Sequence, residues 1–271
     1  MKVFIDNTDN AIGRSLSNAF ETTEDIKEAD YILITGGVAG GIKFNTEYPC
    51  DLIMDNIIKF FSKDLDFKKP LIFFAASCCY ADGLSQPLRE DDLFRSHPLY
   101  GYARAKLLIM DYIIHSWQQH NTPWNIIIPA NVFGCEIEEH ENIEYLHVIP
   151  SMIKEIAYCA STDAKNAYIS NLAAKRDFIH SDDVVSAIKC IINCGVKQKV
   201  YNVGTGKAVS IGNLARTIAE VIGFKGSIIS GNQFPGGVNS KVLDCTRIHT
   251  ELGWRANITL EEGLERVMEC E

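Results

Sequence analysis

The chain has no basic surplus: 26 Lys and Arg against 35 Asp and Glu leave a formal net charge of -9. Polyanions are held by clustered Lys and Arg, and no such cluster occurs, so a nucleic-acid surface is not expected. Anionic ligands must be met locally. A long apolar run is missing as well. The opening Met1-Lys2-Val3-Phe4-Ile5-Asp6 meets polar residues at once, which predicts neither a signal peptide nor a membrane span, and so a cytoplasmic protein. The nine cysteines lack paired C-x-x-C spacing, a pattern that fits reduced thiols better than a disulfide framework or a zinc site. Internal repeats, low-complexity tracts and flexible linkers are also missing.

What is present alternates. Short apolar runs at Val3–Ile5, Tyr31–Thr35, Leu71–Ala75 and Asn125–Ile128 are separated by amphipathic stretches at Ala11–Phe20, Asp51–Lys63 and Tyr100–Gln119. That rhythm predicts an α/β protein: a Rossmann-like parallel sheet with helices on both faces. Beyond Asn131 a helix is expected over Val148–Tyr158, a strand over Ala167–Ser170 and a helix opened by Ser181-Asp182-Asp183. A strand at Lys199–Val203, a helix at Ile211–Ile222 and a terminal helix from Leu260 follow. Residues 1–130, with parts of 175–205, are assigned to the Rossmann-like domain. Residues 131–175 and 206–271 are assigned to a smaller substrate lobe over the carboxyl ends of the strands.

The first strand-to-helix turn, Asp6-Asn7-Thr8-Asp9-Asn10-Ala11-Ile12-Gly13, stands where dinucleotide-binding folds place glycines around a pyrophosphate. Against G-x-x-G-x-x-G, Asn7 and Asn10 take the first two glycine positions and only Gly13 remains. Asp6 and Asp9 add negative charge. Only about ten residues then separate Phe20 from the strand at Tyr31, where a complete dinucleotide fold needs about two further β-α units.

Tyr102-Ala103-Arg104-Ala105-Lys106 has Y-x-x-x-K spacing, which on a helix sets both side chains on one face. An ammonium there would lower the phenol's pKa and make Tyr102 an acid at neutral pH.

Upstream, Ala76-Ser77-Cys78-Cys79-Tyr80 with Gln86-Pro87-Leu88-Arg89-Glu90 resembles the S-S-C-x-Y strand end of the GDP-L-fucose synthase family, extended short-chain dehydrogenase/reductases. Val38-Ala39-Gly40-Gly41-Ile42, Pro129-Ala130-Asn131-Val132-Phe133-Gly134, His147-Val148-Ile149-Pro150, Arg176-Asp177-Phe178-Ile179-His180, Tyr201-Asn202-Val203-Gly204-Thr205-Gly206 and Lys241-Val242-Leu243-Asp244 continue the similarity in order. It spans nearly the whole chain except the segment missing after Phe20. The resemblance implies a nucleotide-sugar enzyme that epimerises carbons 3 and 5 of a GDP-linked 4-keto-6-deoxy-sugar, then reduces carbon 4 with NADP(H). It assigns the acid/base pair to Cys78 and His147, the Tyr–Lys pair to Tyr102 and Lys106, cofactor contacts to Gly13, Asn7 and Asn10, and substrate contacts to Asn131, Arg176 and Lys241. Cys78 would act as base if a neighbouring cation favours its thiolate. The family's first Ser is Ala76 here, so one donor to the substrate carbonyl is lost. A homodimer through the helices over Asp51–Lys63 and Tyr100–Gln119 is also implied.

Because proton transfer needs no nicotinamide, an epimerase is the leading expectation. The full epimerase-reductase and a catalytically silent sugar-nucleotide-binding subunit remain open beside it. Cys78 is open to being a small buried apolar group, His147 a capping residue, and Arg176 and Lys241 solvated charges.

Overall fold

A computed structural model describes residues 1–270 except 67, 96, 122, 136–145 and 232–237, with nothing said of the Trp117 side chain. Its centre is a six-stranded sheet in the order β10-β5-β4-β3-β1-β2. These are Lys199–Val203 (β10), Trp124–Pro129 (β5), Leu71–Phe74 (β4), Tyr31–Ile34 (β3), Lys2–Ile5 (β1) and Glu21–Thr22 (β2), and every pairing is parallel. β4 and β5 are buried at each position, because a parallel sheet covered on both faces leaves no polar side to the strand.

Helix α1 (Ala11–Ala19) packs with α6 (Ser181–Asn193), and α3 (Pro49–Phe61) with α4 (Gly101–His120), preceded by the short α2 (Ile42–Glu47). Pro49 opens α3, where its missing N–H costs nothing. Between β1 and β3 the strand order reverses, since β2 lies to one side of β1 and β3 to the other. Such a switch point opens a crevice at the carboxyl ends of the strands.

The interval between Phe20 and Tyr31 is not bare. It holds the two-residue edge strand β2 and one 3-10 turn, Ile26–Glu28, and the sheet ends there.

A second apolar core is built by α5 (Val148–Ser161), α7 (Ile211–Ile222) and α9 (Leu260–Glu269) around β7 (Asn166–Ile169) and its parallel partner β12 (Ser227–Ser230). Helix α7 starts at Ser210, whose side chain accepts the Asn213 N–H, and stops at Gly223, left-handed at φ 79°. Short pairs bridge the two cores: β6 (Asn131–Phe133) with β9 (Phe178–His180), and β8 (Lys175–Arg176) with β11 (Val209–Ser210) and β13 (Ser240–Lys241). Helix α8 (Thr246–Leu252) lies against β10, so Ile248 and Trp254 join the first core.

The expectation of reduced thiols is corrected at one pair. Cys135 and Cys270, 135 residues apart, form a disulfide with a Cα–Cα distance of 5.7 Å, while the other cysteines are free. Spacing carried no sign of it because the contact arises from the packing of α9 on β9. Among the described residues no group of three His, Cys, Asp or Glu is set to hold a metal ion, and no helix is long and apolar enough to cross a membrane.

Candidate active site

Strand β4 ends at Phe74 and, after extended Ala76, tightens into a 3-10 turn over Ser77–Cys79. The strict alternation expected of a strand therefore stops at Ala76. Cys78 is half-buried and Cys79 fully buried. The hydrogen bond from Cys79 holds the Cys78 thiol below the usual thiol range against the opposing effect of burial, and the charges of Lys241 and Lys106 act in the same direction as the hydrogen bond. Cys79 is pushed the other way, by that hydrogen bond and by burial. The Cys79 thiol also has the Ala103 carbonyl as acceptor at 3.8 Å, and of the two adjacent thiols Cys78 is the one favoured as thiolate.

Lys241 is brought there by chain pairing. The segment after the cysteines is stitched to β13 and its continuation: Val242 N–H donates to Gln86 Oε1 at 2.8 Å, Leu88 N–H to Val242 O at 2.8 Å and Asp244 N–H to Leu88 O at 2.8 Å. Asp82 Oδ1 lies 3.8 Å from Lys241 Nζ. In the β8–β13 register Lys241 is the partner of Arg176, whose guanidinium donates to the carbonyls of Lys175 and Val238 and feels the charge of Asp82.

Tyr102 and Lys106 share one face of α4, as a Cβ built on Gly37 shows by meeting Tyr102 Cε2 at 3.3 Å and Lys106 Cε at 3.4 Å. Lys106 is 2% exposed, and its ammonium donates to Gly36 O at 2.9 Å and Phe74 O at 3.0 Å. Burial brings its pKa down to about 8, opposed by the charge of Asp6. The ammonium stands 5.6 Å from the centre of the Tyr102 ring, beneath the ring and bonded elsewhere. The expected lowering of the Tyr102 phenol is corrected: burial, then charge on Cys78 and Cys79, raise it well above its ordinary value. Tyr102 thus stays a proton donor in a hydrogen bond across the physiological range.

Asn131 opens β6, its backbone N–H and side-chain amide both donating to Asp177 O at 3.0 and 2.8 Å. Asp177 itself is buried and accepts from Thr205 N, Thr205 Oγ1 and Gly206 N, which accounts for the Thr205-Gly206 motif as a tie between strands. His147 is exposed and occupies the N-cap position of α5 without a side-chain capping bond. The charges of Lys241 and Lys106 act on Cys78, the charge of Cys78 acts on Tyr102, and the Lys106 ammonium faces the Tyr102 ring.

Over residues 7–204 the sequence matches the NAD dependent epimerase/dehydratase family. The chain belongs to that family. It is 29% identical over 256 residues to GDP-L-fucose synthase of Escherichia coli K12, covering 87% of this chain and 78% of the relative. It is 27% identical over 250 residues to GDP-L-colitose synthase of Yersinia pseudotuberculosis, covering 88% and 79%. In fold it is similar to the GDP-6-OMe-4-keto-L-xylo-heptose reductase of C. jejuni, with a TM-score of 0.82 at 18% identity over 99% of this chain and 96% of that one. RMD from Pseudomonas aeruginosa, whose structure is complexed with NADPH, gives a TM-score of 0.81 at 16% identity over 99% and 98%.

A family named for NAD raises the question of whether the first turn accepts a pyrophosphate. Two of its backbone donors are already taken by side chains of the turn itself. Asn10 Oδ1 accepts the Gly13 N–H at 2.8 Å and so caps α1, and Asn7 Oδ1 accepts the Asp9 N–H at 2.9 Å. Those N–H groups are what a phosphate would require. Gly13 is kept for a different reason, since a Cβ there would meet Asn7 O at 2.0 Å. Next to it the Asp6 carboxylate accepts from Thr35 N and Gly36 N, both at 2.7 Å, and pairs with Lys63 at 3.5 Å. The residues present do not fit a dinucleotide's pyrophosphate held in the helix-terminus manner.

The sequence reading missed Asp6 as a structural acceptor, Cys79 as partner to Cys78, Asp82 between the two cations, and Asn56. Buried Asn56 accepts the Val38 N–H and donates to Val38 O and Leu52 O, and so fixes the loop that precedes α2. An Asn in the middle of a helix whose next turn is apolar is the one local sign it gave.

Proposed function

We propose that the chain is an epimerase of a nucleotide-linked, GDP-type, 4-keto-deoxy-sugar, working by proton transfer at carbons 3 and 5. The observation that carries this reading is the placing of Cys78 in the turn that ends β4, next to the Tyr102–Lys106 face of α4 whose ammonium is tied to Gly36 O and Phe74 O, an arrangement that lowers the thiol and raises the phenol. A thiolate takes the proton next to the 4-ketone, and Tyr102 donates to the oxygen that becomes an enolate. His147, from the start of α5, returns a proton on the other face, while Arg176 and Lys241 receive the diphosphate. Asn131 lines the same strand end.

The relatives' names support the substrate class. NADP(H), implied by the family, enters no step here because the first turn is filled by its own side chains. The retained Tyr102–Lys106 pair favours a second reading, the full epimerase and 4-ketoreductase, which would need a different cofactor seat. A homodimer through α3 and α4 is supported by Met54, Ile58 and Leu108, each at least half exposed on those helices.

The decisive experiment is deuterium wash-in at carbons 3 and 5 of GDP-4-keto-6-deoxy-mannose in heavy water, with and without NADPH. Wash-in at an equal rate in both is expected. Wash-in only with NADPH, together with cofactor oxidation, would establish the second reading, and none in either would reject both.

A further inference from the structure

The switch-point crevice between β1 and β3 is where an open α/β sheet receives an anionic ligand. Here a carboxylate of the chain itself stands in it. Asp6 directly follows β1, and its side chain is 2% exposed. One oxygen accepts from Thr35 N, Gly36 N and Thr35 Oγ1; the other faces Lys63 from the end of α3. A Cβ on Gly36 would meet that second oxygen at 2.7 Å, so the glycine exists to admit the carboxylate.

The turn so held has a second role. The carbonyl of Gly36, whose N–H is bound to Asp6, accepts the ammonium of Lys106 at 2.9 Å. We infer that Asp6 is a positioning residue for the active site: its carboxylate fixes the Thr35–Gly36 turn that holds Lys106 and supplies the counter-charge a bound anionic cofactor would otherwise bring. This rests on the epimerase reading insofar as Lys106 serves Cys78.

Among the described residues, Asp6 faces Lys63, and further charged groups bear on the path beyond it. Lys106 is acted on by Asp6, Cys78, Cys79 and Lys59, and Cys78 by Cys79, Lys241 and Lys106. Removing the Asp6 charge takes away the group that sustains the Lys106 ammonium. Less positive charge then reaches the Cys78 thiolate, and its ionisation moves to higher pH.

The test follows the rate of iodoacetamide labelling of the Cys78 peptide against pH by mass spectrometry, in the full-length wild type, Asp6→Asn and Asp6→Ser. Site-resolved detection separates Cys78 from the exposed Cys50 and Cys194. The labelling midpoint is expected to rise by roughly one pH unit in both variants, which is about a tenfold loss of thiolate below the midpoint. Wash-in turnover should fall by a similar factor, with KM within about twofold. A purely architectural carboxylate would lower the melting temperature and leave the midpoint in place; folded variants with an unmoved midpoint overturn the proposal. It is equally overturned if neither variant folds, because the carboxylate is then a folding determinant. Labelling needs no substrate, so a shifted midpoint in a protein without wash-in upholds Asp6 and rejects the epimerase, and wash-in with an unmoved midpoint does the reverse.

Discussion

Lys241 and Arg176 are register partners across the β8–β13 pairing, and Asp82 acts on both cations. Both are proposed to receive the diphosphate, and Lys241 has a further effect that Arg176 is not proposed to share. Lys241 bears on the Cys78 thiol, whereas Arg176 is anchored to two backbone carbonyls away from it. Lys241→Met should therefore raise the Cys78 labelling midpoint and cut turnover. Arg176→Ala should leave the midpoint alone and weaken GDP binding by about tenfold, the worth of one charge-assisted phosphate contact. Isothermal titration with GDP and the labelling profile together check this; equal midpoint shifts in the two variants would refute the division.

A second expectation concerns pH. Cys78 must lose its proton to act as base, so activity rises as pH climbs through its lowered pKa. Lys106 must keep its proton to sustain that thiolate, and it loses it near about 8. The profile of kcat/KM for wash-in should be bell-shaped, with its alkaline limb near pH 8. Tyr102, raised well above its ordinary value, adds no limb below that. Tyr102→Phe should keep the bell and lose about 10²- to 10³-fold in kcat, the cost of one donor to a developing oxyanion. A profile still rising at pH 9 would contradict the role given to Lys106.

The sequence showed the regular elements well, for reasons visible in particular residues. Leu71–Phe74 is an unbroken apolar run because both faces of β4 are covered. The bounds of α7 could be read because Ser210 and Gly223 are side chains whose chemistry starts and stops helices. The two-residue strands β2, β8, β11 and β13 carry no period of their own and are defined by what they pair with. In the site, Y-x-x-x-K told which face Tyr102 and Lys106 share. It could not tell that the ammonium turns to Gly36 O and Phe74 O, because depth below the surface is set by other segments. Asp6 read as a charge that repels phosphate; the Thr35 and Gly36 amides that bind it lie 29 and 30 residues away.

The filled first turn yields a third expectation. If NADPH bound with a Kd near 1 μM, 100 μM cofactor would stabilise the fold by about 2.7 kcal/mol, a shift of several degrees in melting temperature. No shift is expected, since the Asn7 and Asn10 side chains hold the Asp9 and Gly13 N–H groups and the Asp6 and Asp9 charges repel a pyrophosphate. Gly13→Ala should be destabilising with or without cofactor, by roughly 1–3 kcal/mol or more, because the added methyl meets backbone rather than a movable side chain. Thermal denaturation reads both; a clear rise with NADPH would show that the turn reopens.

Cys78 and His147, the acid/base pair of the proposed reaction, stand on separate elements, the turn after β4 and the residue before α5, and the duties proposed for them separate in an exchange experiment. Removal of a proton and its return to the opposite face are distinct events. Cys78→Ser should abolish wash-in by 10²-fold or more, on the order of a lost general base. His147→Asn should leave the thiolate able to remove a proton and to give deuterium back on the same face. Proton NMR should then show deuterium entering without inversion of configuration at that carbon, while the wild type shows both. Inversion at the wild-type rate in His147→Asn would remove His147 from the mechanism and require a different donor on that face.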